Sequence, residues 1–213
     1  ACWKTYLGRP ERDKSRRSAM GVLGEALRSS RPEEAIPVIE AHLALRRRYW
    51  SDSGQNAKYI FRLQGTLIDC LHLLGRLDEA LDLSREIYSR RVGANGASHK
   101  ETIVSGARLA LSLSKVSRYG SAIALLRDDL LPAARESLGT EHNYVDGLNH
   151  LLAEAFMDNP DHTRDDLLLA ETITQGVVER RRRIDGPTDR VTVENEALLA
   201  AVREKLELSH SVT

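Results

Sequence analysis

Gly75-Arg76-Leu77-Asp78-Glu79-Ala80-Leu81 is the stretch whose reading decides the fold. Before it, Ile60, Leu63, Leu67, Cys70, Leu71 and Leu74 keep the i, i+3, i+4 spacing of one buried helical face. Gly75 breaks that helix, as a residue entering the left-handed region does. Leu77, Ala80, Leu81, Ser84, Ile87 and Tyr88 then begin a second apolar stripe. Ala80 is small where the two helices must approach closely. Arg90 and Arg91 close the second helix, where cations suit the negative end of the dipole. Gly93-Ala94-Asn95-Gly96 marks the next turn.

The same pattern recurs along the chain. Ser30-Arg31-Pro32-Glu33-Glu34-Ala35-Ile36, Ser117-Arg118-Tyr119-Gly120-Ser121-Ala122-Ile123 and, more weakly, Asp165-Asp166-Leu167-Leu168-Leu169-Ala170-Glu171 repeat the turn and its alanine. The alanines stand 45, 42 and 48 residues apart. A second set of anchors, Gly54, Gly96, Gly139 and Gly186, is spaced by 42, 43 and 47 residues. Thirteen residues after each glycine an apolar pair begins: Leu67-Ile68, Leu109-Ala110, Leu152-Ala153 and Leu199-Ala200. Two anchor sets with one period define a repeat, and helix pairs of this kind bury both faces only by stacking on neighbours. The expected class is all-α, a right-handed α-solenoid of antiparallel helix pairs. Units are expected at 18–52, 56–95, 101–138 and 144–185, with a closing helix at 191–209 and a short tail at 210–213. Residues 1–17 read as a polar tail or the end of a preceding domain. The absence of a starting Met fits a piece of something longer.

Composition narrows the function classes. Lys plus Arg and Asp plus Glu each number 31 in 213 residues, so no basic excess points to nucleic acid or an anionic membrane. Aromatics are only 5%, which leaves Leu, Ala, Val and Ile to build the core. The two cysteines, Cys2 and Cys70, form neither a disulfide framework nor a zinc motif. Cys70 reads as a buried reduced thiol, which fits an intracellular, cytoplasmic setting. No run of about 18 apolar residues is present to span a membrane.

The residues also carry a resemblance. Gly75-Arg76-Leu77-Asp78-Glu79-Ala80-Leu81 resembles the G-x-Y-x-E-A-L turn of tetratricopeptide repeats, with Leu77 in place of Tyr. Leu138-Gly139-Thr140-Glu141-His142 is similar to the L-G-x-x-H-P-x-T turn of the longer, kinesin light chain-like variety. Gly96-Ala97-Ser98-His99-Lys100-Glu101-Thr102 resembles the same turn without the Pro. Gly186-Pro187-Thr188-Asp189-Arg190-Val191-Thr192 resembles it with Asp for His. The resemblance covers roughly residues 18–209 and implies a protein–protein interaction role, with a peptide on the face lined by the first helix of each unit. The Asn that the family places before Leu-Ala is here Arg108, Leu151 or Leu198. A HEAT-like array, with a period of about 40–47 residues, is the rival fold.

Catalytic patterns are missing: there is no H-E-x-x-H, P-loop, G-x-S-x-G or G-x-G-x-x-G. No cofactor, metal or enzymatic activity is expected. His99, His142 and Asp189 occupy equivalent positions and read as turn residues. Asp128-Asp129 and Asp165-Asp166 are neighbours that point about 100° apart on a helix. The runs Arg46-Arg47-Arg48 and Arg180-Arg181-Arg182-Arg183 read as solvated helix ends sooner than a phosphate track. Trp50 beside Tyr49 reads as packing.

By register, the groove-facing positions are Gly65, Asp69 and His72 in one unit, Ala107, Leu111 and Ser114 in the next, and His150, Glu154 and Met157 in the third. Asp69, His72, Ser114, His150, Glu154 and Met157, with Arg108 at the family's Asn position, are the candidate partner-binding residues, suited to a peptide with apolar and basic side chains. The expected function is a scaffold or adaptor module. The alternative is a regulatory or sensory repeat domain that docks within a larger polypeptide. Leu199, Val202 and Leu206 read as the buried face of a capping helix. The first unit lacks such a cover, so Met20, Val22, Leu23 and Leu27 offer an edge for a preceding domain or a second copy.

Overall fold

A computed structural model describes the backbone of residues 8–50 and 54–210. Residues 1–7 of the segment assigned to the tail, Cys2 among them, the end of the first unit at 51–52 and residues 211–213 lie outside the described residues. Within them the chain is all-α, without strands. The helices are α1 (Lys14–Leu27), α2 (Pro32–Tyr49), α3 (Gly54–Leu73), α4 (Leu77–Asn95) and α5 (Lys100–Lys115). Then come α6 (119–138), α7 (Asn143–Asp158), α8 (Arg164–Ile184) and α9 (Arg190–His210). α1 opens four residues inside the segment read as a tail. Asp13 starts it there by accepting the Arg16 N–H at 2.8 Å.

The two anchor sets have separate jobs. Ala35, Ala80, Ala122 and Ala170 are all fully buried, so each marks a helix surface with no room for a larger side chain. Gly54, Gly96, Gly139 and Gly186 all have positive φ, as does Gly75. Gly139 stands at φ 90° and ψ 153°, a region effectively closed to side chains. After three of these glycines the next helix is capped by the equivalent polar residue. His99 Nδ1 accepts the Glu101 N–H at 3.2 Å and His142 Nδ1 accepts the Tyr144 N–H at 3.1 Å. Asp189 accepts those of Val191 and Thr192 at 2.9 and 3.3 Å. The turn role expected for these three residues is a capping role.

α6 is not uniform. Tyr119–Ala124 is α-helical, Leu125–Leu130 widens into a π-helical turn, and Leu131–Leu138 returns to α. Pro132 sits at the return. A proline lacks the N–H and crowds the carbonyl four residues back, and the wider turn relieves that conflict.

The chain divides into two compact units, one ending at Leu83 and the other starting at Ser84, within α4. In the first, α1 packs on α2, α2 on α3, and α1 meets α3. Met20, Ile39, Ile60 and Ile68 are buried there. The close α1–α2 approach needs Gly24, where a Cβ would stand 2.9 Å from Ile39 Cγ1. Met20 is 2% exposed, so it is no part of the open edge expected around it. Val22, 67% exposed, is. Cys70 is fully buried, and burial pushes its thiol up to about 11.

In the second unit, α5 packs on α6 and α7, α7 on α8, and α8 on α9. The core joins Ile103, Leu126, Leu130, Leu148, Phe156 and Leu167, and α9 closes it with Val202 and Leu206. Of the arginines of 180–183, Arg180 and Arg181 turn inward, while Arg182 and Arg183 stay exposed as a solvated helix end. Arg180 and Arg181 place Nε 3.0 Å from the two oxygens of buried Asp146 on α7. Arg182 reaches Glu196 on α9 at 2.6 Å, and Arg183 lies 3.5 Å from Glu141.

Candidate functional site

α5 and α7 are the first helices of their pairs in the second unit. Each turns one stripe inward: Ile103, Ala110 and Leu113 on α5, Leu148, Leu152 and Phe156 on α7. The neighbouring positions, one step around the helix, are left half-buried. These are Ala107, Arg108, Leu111 and Ser114 on α5, and His150, Leu151, Glu154 and Met157 on α7. Between them lies a recess of about 220 Å³, lined by Leu111, Ser114, Lys115, Tyr119, Leu151, Glu154 and Asp158.

The structure brings two of the candidate residues, Ser114 and Glu154, into one recess together with Leu111. His150 stands beside it. Its Nε2 is 3.5 Å from Glu154, one helical turn away, and its Nδ1 is 3.0 Å from Asn195 Oδ1 on α9. Asn195 Nδ2 donates to the Val191 carbonyl at 2.7 Å, so Oδ1 is the acceptor and His150 Nδ1 carries a proton. The Glu154 carboxylate, and then Asn195, hold the His150 pKa above its ordinary value against the opposing effect of burial. Glu154 is correspondingly lowered, by His150 first and with help from Lys115.

The remaining candidates do not join the recess. Arg108 is half-buried outside its lining. Met157 leans on the core, and its carbonyl accepts from Lys205 Nζ of α9 at 2.5 Å. Asp69 and His72 belong to the first unit. There Asp69 is paired with Arg28 at 3.4 Å, so its charge is already engaged.

Lys115, Tyr119, Leu151 and Asp158 line the recess but were not among the candidates. Tyr119 sits in the Ser117-to-Ile123 turn, at the position where the tetratricopeptide turn carries its aromatic residue, and that signal was available. Lys115 and Asp158 lie at helix ends, where a periodic pattern stops giving direction. Chemically, the recess offers two leucines, a tyrosine, two carboxylates and one lysine. Among the described residues, no three His, Cys, Asp or Glu side chains group to hold a metal ion. No helix of the described residues is long and apolar enough to cross a membrane.

Several solved structures superpose on most of the chain. One, from Podosopora anserina, is assigned as a kinesin light chain with nearly identical TPR-like repeats. It matches with TM-score 0.68 and 17% identity, over 91% of this chain and 88% of that one. A variant form of the same protein gives TM-score 0.69 and 17% identity, over 89% and 85%. BtubC (BKLC) from P. vanneervenii gives TM-score 0.71 and 13% identity, over 95% and 78%. This is a TPR-like repeat fold. No family model matches the sequence, and no curated protein does. At these identities the likeness is one of fold, and it favours the TPR-like reading over a HEAT-like array. A fold does not fix a function, so the role is argued from the site.

Proposed function

We propose that the chain is a protein-interaction module that takes a short peptide segment on the α5–α7 face of its second unit. One observation carries the reading: the recess joins two leucines to two carboxylates. Leu111 and Leu151 offer an apolar seat about the size of one side chain. Glu154 and Asp158 stand beside it, with Lys115 as the single opposing cation. A segment with an apolar residue next to Lys or Arg satisfies both halves. The carboxylates set orientation and partner choice more than strength.

Leu151 stands where the long-repeat family commonly has Asn. An apolar side chain there cannot hydrogen-bond a peptide backbone, so recognition falls to side chains. Selection of a random peptide library on the intact chain, with counter-selection on Leu151→Lys, tests this. Enriched peptides pairing an apolar residue with a basic one support the reading. Peptides without that pairing, or enriched equally on both proteins, refute it.

A further inference from the structure

A second cavity, of about 400 Å³, lies wholly within the first unit, walled by α1, α2 and α3. Four cations line it, Lys14, Arg17, Arg46 and Arg62, and among the described residues no carboxylate does. None of the four is ion-paired among the described residues, although carboxylates on the same helices pair elsewhere, as Glu25 does with Arg28 and Glu34 with Arg31. Arg17 lies over Trp50 and Arg46 over Tyr59, each 4.2 Å from the ring centroid. Those faces hold the guanidiniums in place without neutralising them. The sequence had put Arg46 with Arg47 and Arg48 in a solvated helix end. Arg46 alone is half-buried, and it turns into this cavity.

The floor is His42, 2% exposed. Its Nε2 accepts from Arg46 Nε at 3.0 Å, which leaves the ring proton on Nδ1. Nδ1 is buried and has no partner. The ring lies under Gly21, where a Cβ would stand 3.5 Å from Cε1 and 3.8 Å from Nδ1. Burial, then Arg46, Arg17 and Arg62, hold the His42 pKa down at about 4, so near neutral pH the ring is an uncharged donor. An unpaired buried donor and a ring of cations without a counter-charge are each costly. A multiply charged oxyanion in the cavity supplies the missing counter-charge.

We infer that this cavity binds a phosphate group, as free phosphate or as a small phosphate monoester. Arg17, Arg46 and Arg62 contact it from the walls, exposed Lys14 adds charge, and the neutral His42 ring forms the floor. The volume lies in the range of small-ligand sites. Helices enclose it on three sides, unlike the open basic path along which a nucleic-acid strand runs.

Calorimetric titration of the intact chain with inorganic phosphate and with phenyl phosphate, each against NaCl at matched ionic strength, tests the inference. Saturable binding of at least one probe is expected. Arg62→Glu should weaken it by about tenfold or more, and Lys14→Ala by about threefold. Both side chains are exposed, so circular dichroism should report an unchanged fold, and either variant suffices if the other misfolds. Arg118→Glu, exposed in the second unit, should leave binding unchanged. Tighter binding of phenyl phosphate supports a monoester, and equal binding supports free phosphate. No binding of either probe, or binding indifferent to both variants, overturns the inference. Binding of a short single-stranded RNA where neither phosphate binds also overturns it.

Discussion

His150 on α7 donates its Nδ1 proton to Asn195 on α9 across 3.0 Å, while its other nitrogen faces Glu154 at 3.5 Å. The ring therefore ties the closing helix to the face proposed to bind. Its pKa is raised by Glu154 and Asn195. A histidine raised on folding stabilises fully below about pH 6.5, and that contribution is lost as pH climbs through the raised value. Wild type should thus lose a little stability between pH 6 and pH 8 that His150→Ala does not lose. Urea unfolding of both proteins at the two pH values reads the difference, and parallel curves would exclude the link.

Asp146 takes Arg180 and Arg181 on its two oxygens, yet burial pushes its carboxyl above the ordinary value against the pull of both. The clamp therefore fixes how α8 lies on α7 more than it adds net stability. Removing the carboxylate leaves the Arg180 guanidinium, 18% exposed, without its partner, while Arg181 keeps Asp185 at 2.9 Å. Asp146→Ala should cost about 3 kcal/mol, read from denaturant midpoints. A loss under about 0.5 kcal/mol would mean that the arginines find water instead.

Ser117 occupies the position of Gly75 in its own copy of the turn, with φ 60°. The two turns share their hydrogen bonds: Arg118 N–H to the Leu113 carbonyl and Arg76 N–H to the Leu71 carbonyl, both at 2.9 Å. A serine pays about 1 kcal/mol to sit there. Ser117→Gly should raise stability by up to about that amount, and Gly139→Ala should lower it by at least as much. Thermal melts of the two variants should move in opposite directions.

Gly106 lets α5 meet the π-helical turn of α6. A Cβ there would stand 2.4 Å from Leu130 Cδ2 and 3.0 Å from Tyr88 Cε2. Gly106→Ala gains helix propensity of about 1 kcal/mol, but overpacking should outweigh it and leave a net loss of about 1–2 kcal/mol. The same change should cost less in a Leu130→Val background, which lacks the clashing atoms. A double-mutant cycle measures that coupling, and additive losses would place the strain elsewhere.

The repeat was legible because its signals are local. An alanine that no larger residue can replace and a glycine at positive φ both recur at one spacing, and Ala35, Ala80, Ala122 and Ala170 needed no tertiary information. What stayed hidden depends on contacts far apart in sequence. Four successive arginines look like a solvated helix end until Asp146 is placed beside the first two. Asp69 looked like a groove carboxylate until Arg28, 41 residues earlier, was seen to engage it. Periodicity located the stripe carrying Ser114 and Glu154, but not Tyr119, which a turn and not a helical face brings to the recess. His42 reads from sequence as one polar residue among apolar ones. Only the fold sets it beneath a ring of arginines.

The central claim is that the α5–α7 face takes a peptide through Leu151 and Glu154. Fluorescence anisotropy with a labelled peptide from the library selection tests it most directly, comparing wild type with Glu154→Lys and with Glu179→Lys on the exposed side of α8. The claim requires Glu154→Lys to weaken binding by about tenfold or more while Glu179→Lys leaves it intact. Equal affinity for all three proteins would contradict it.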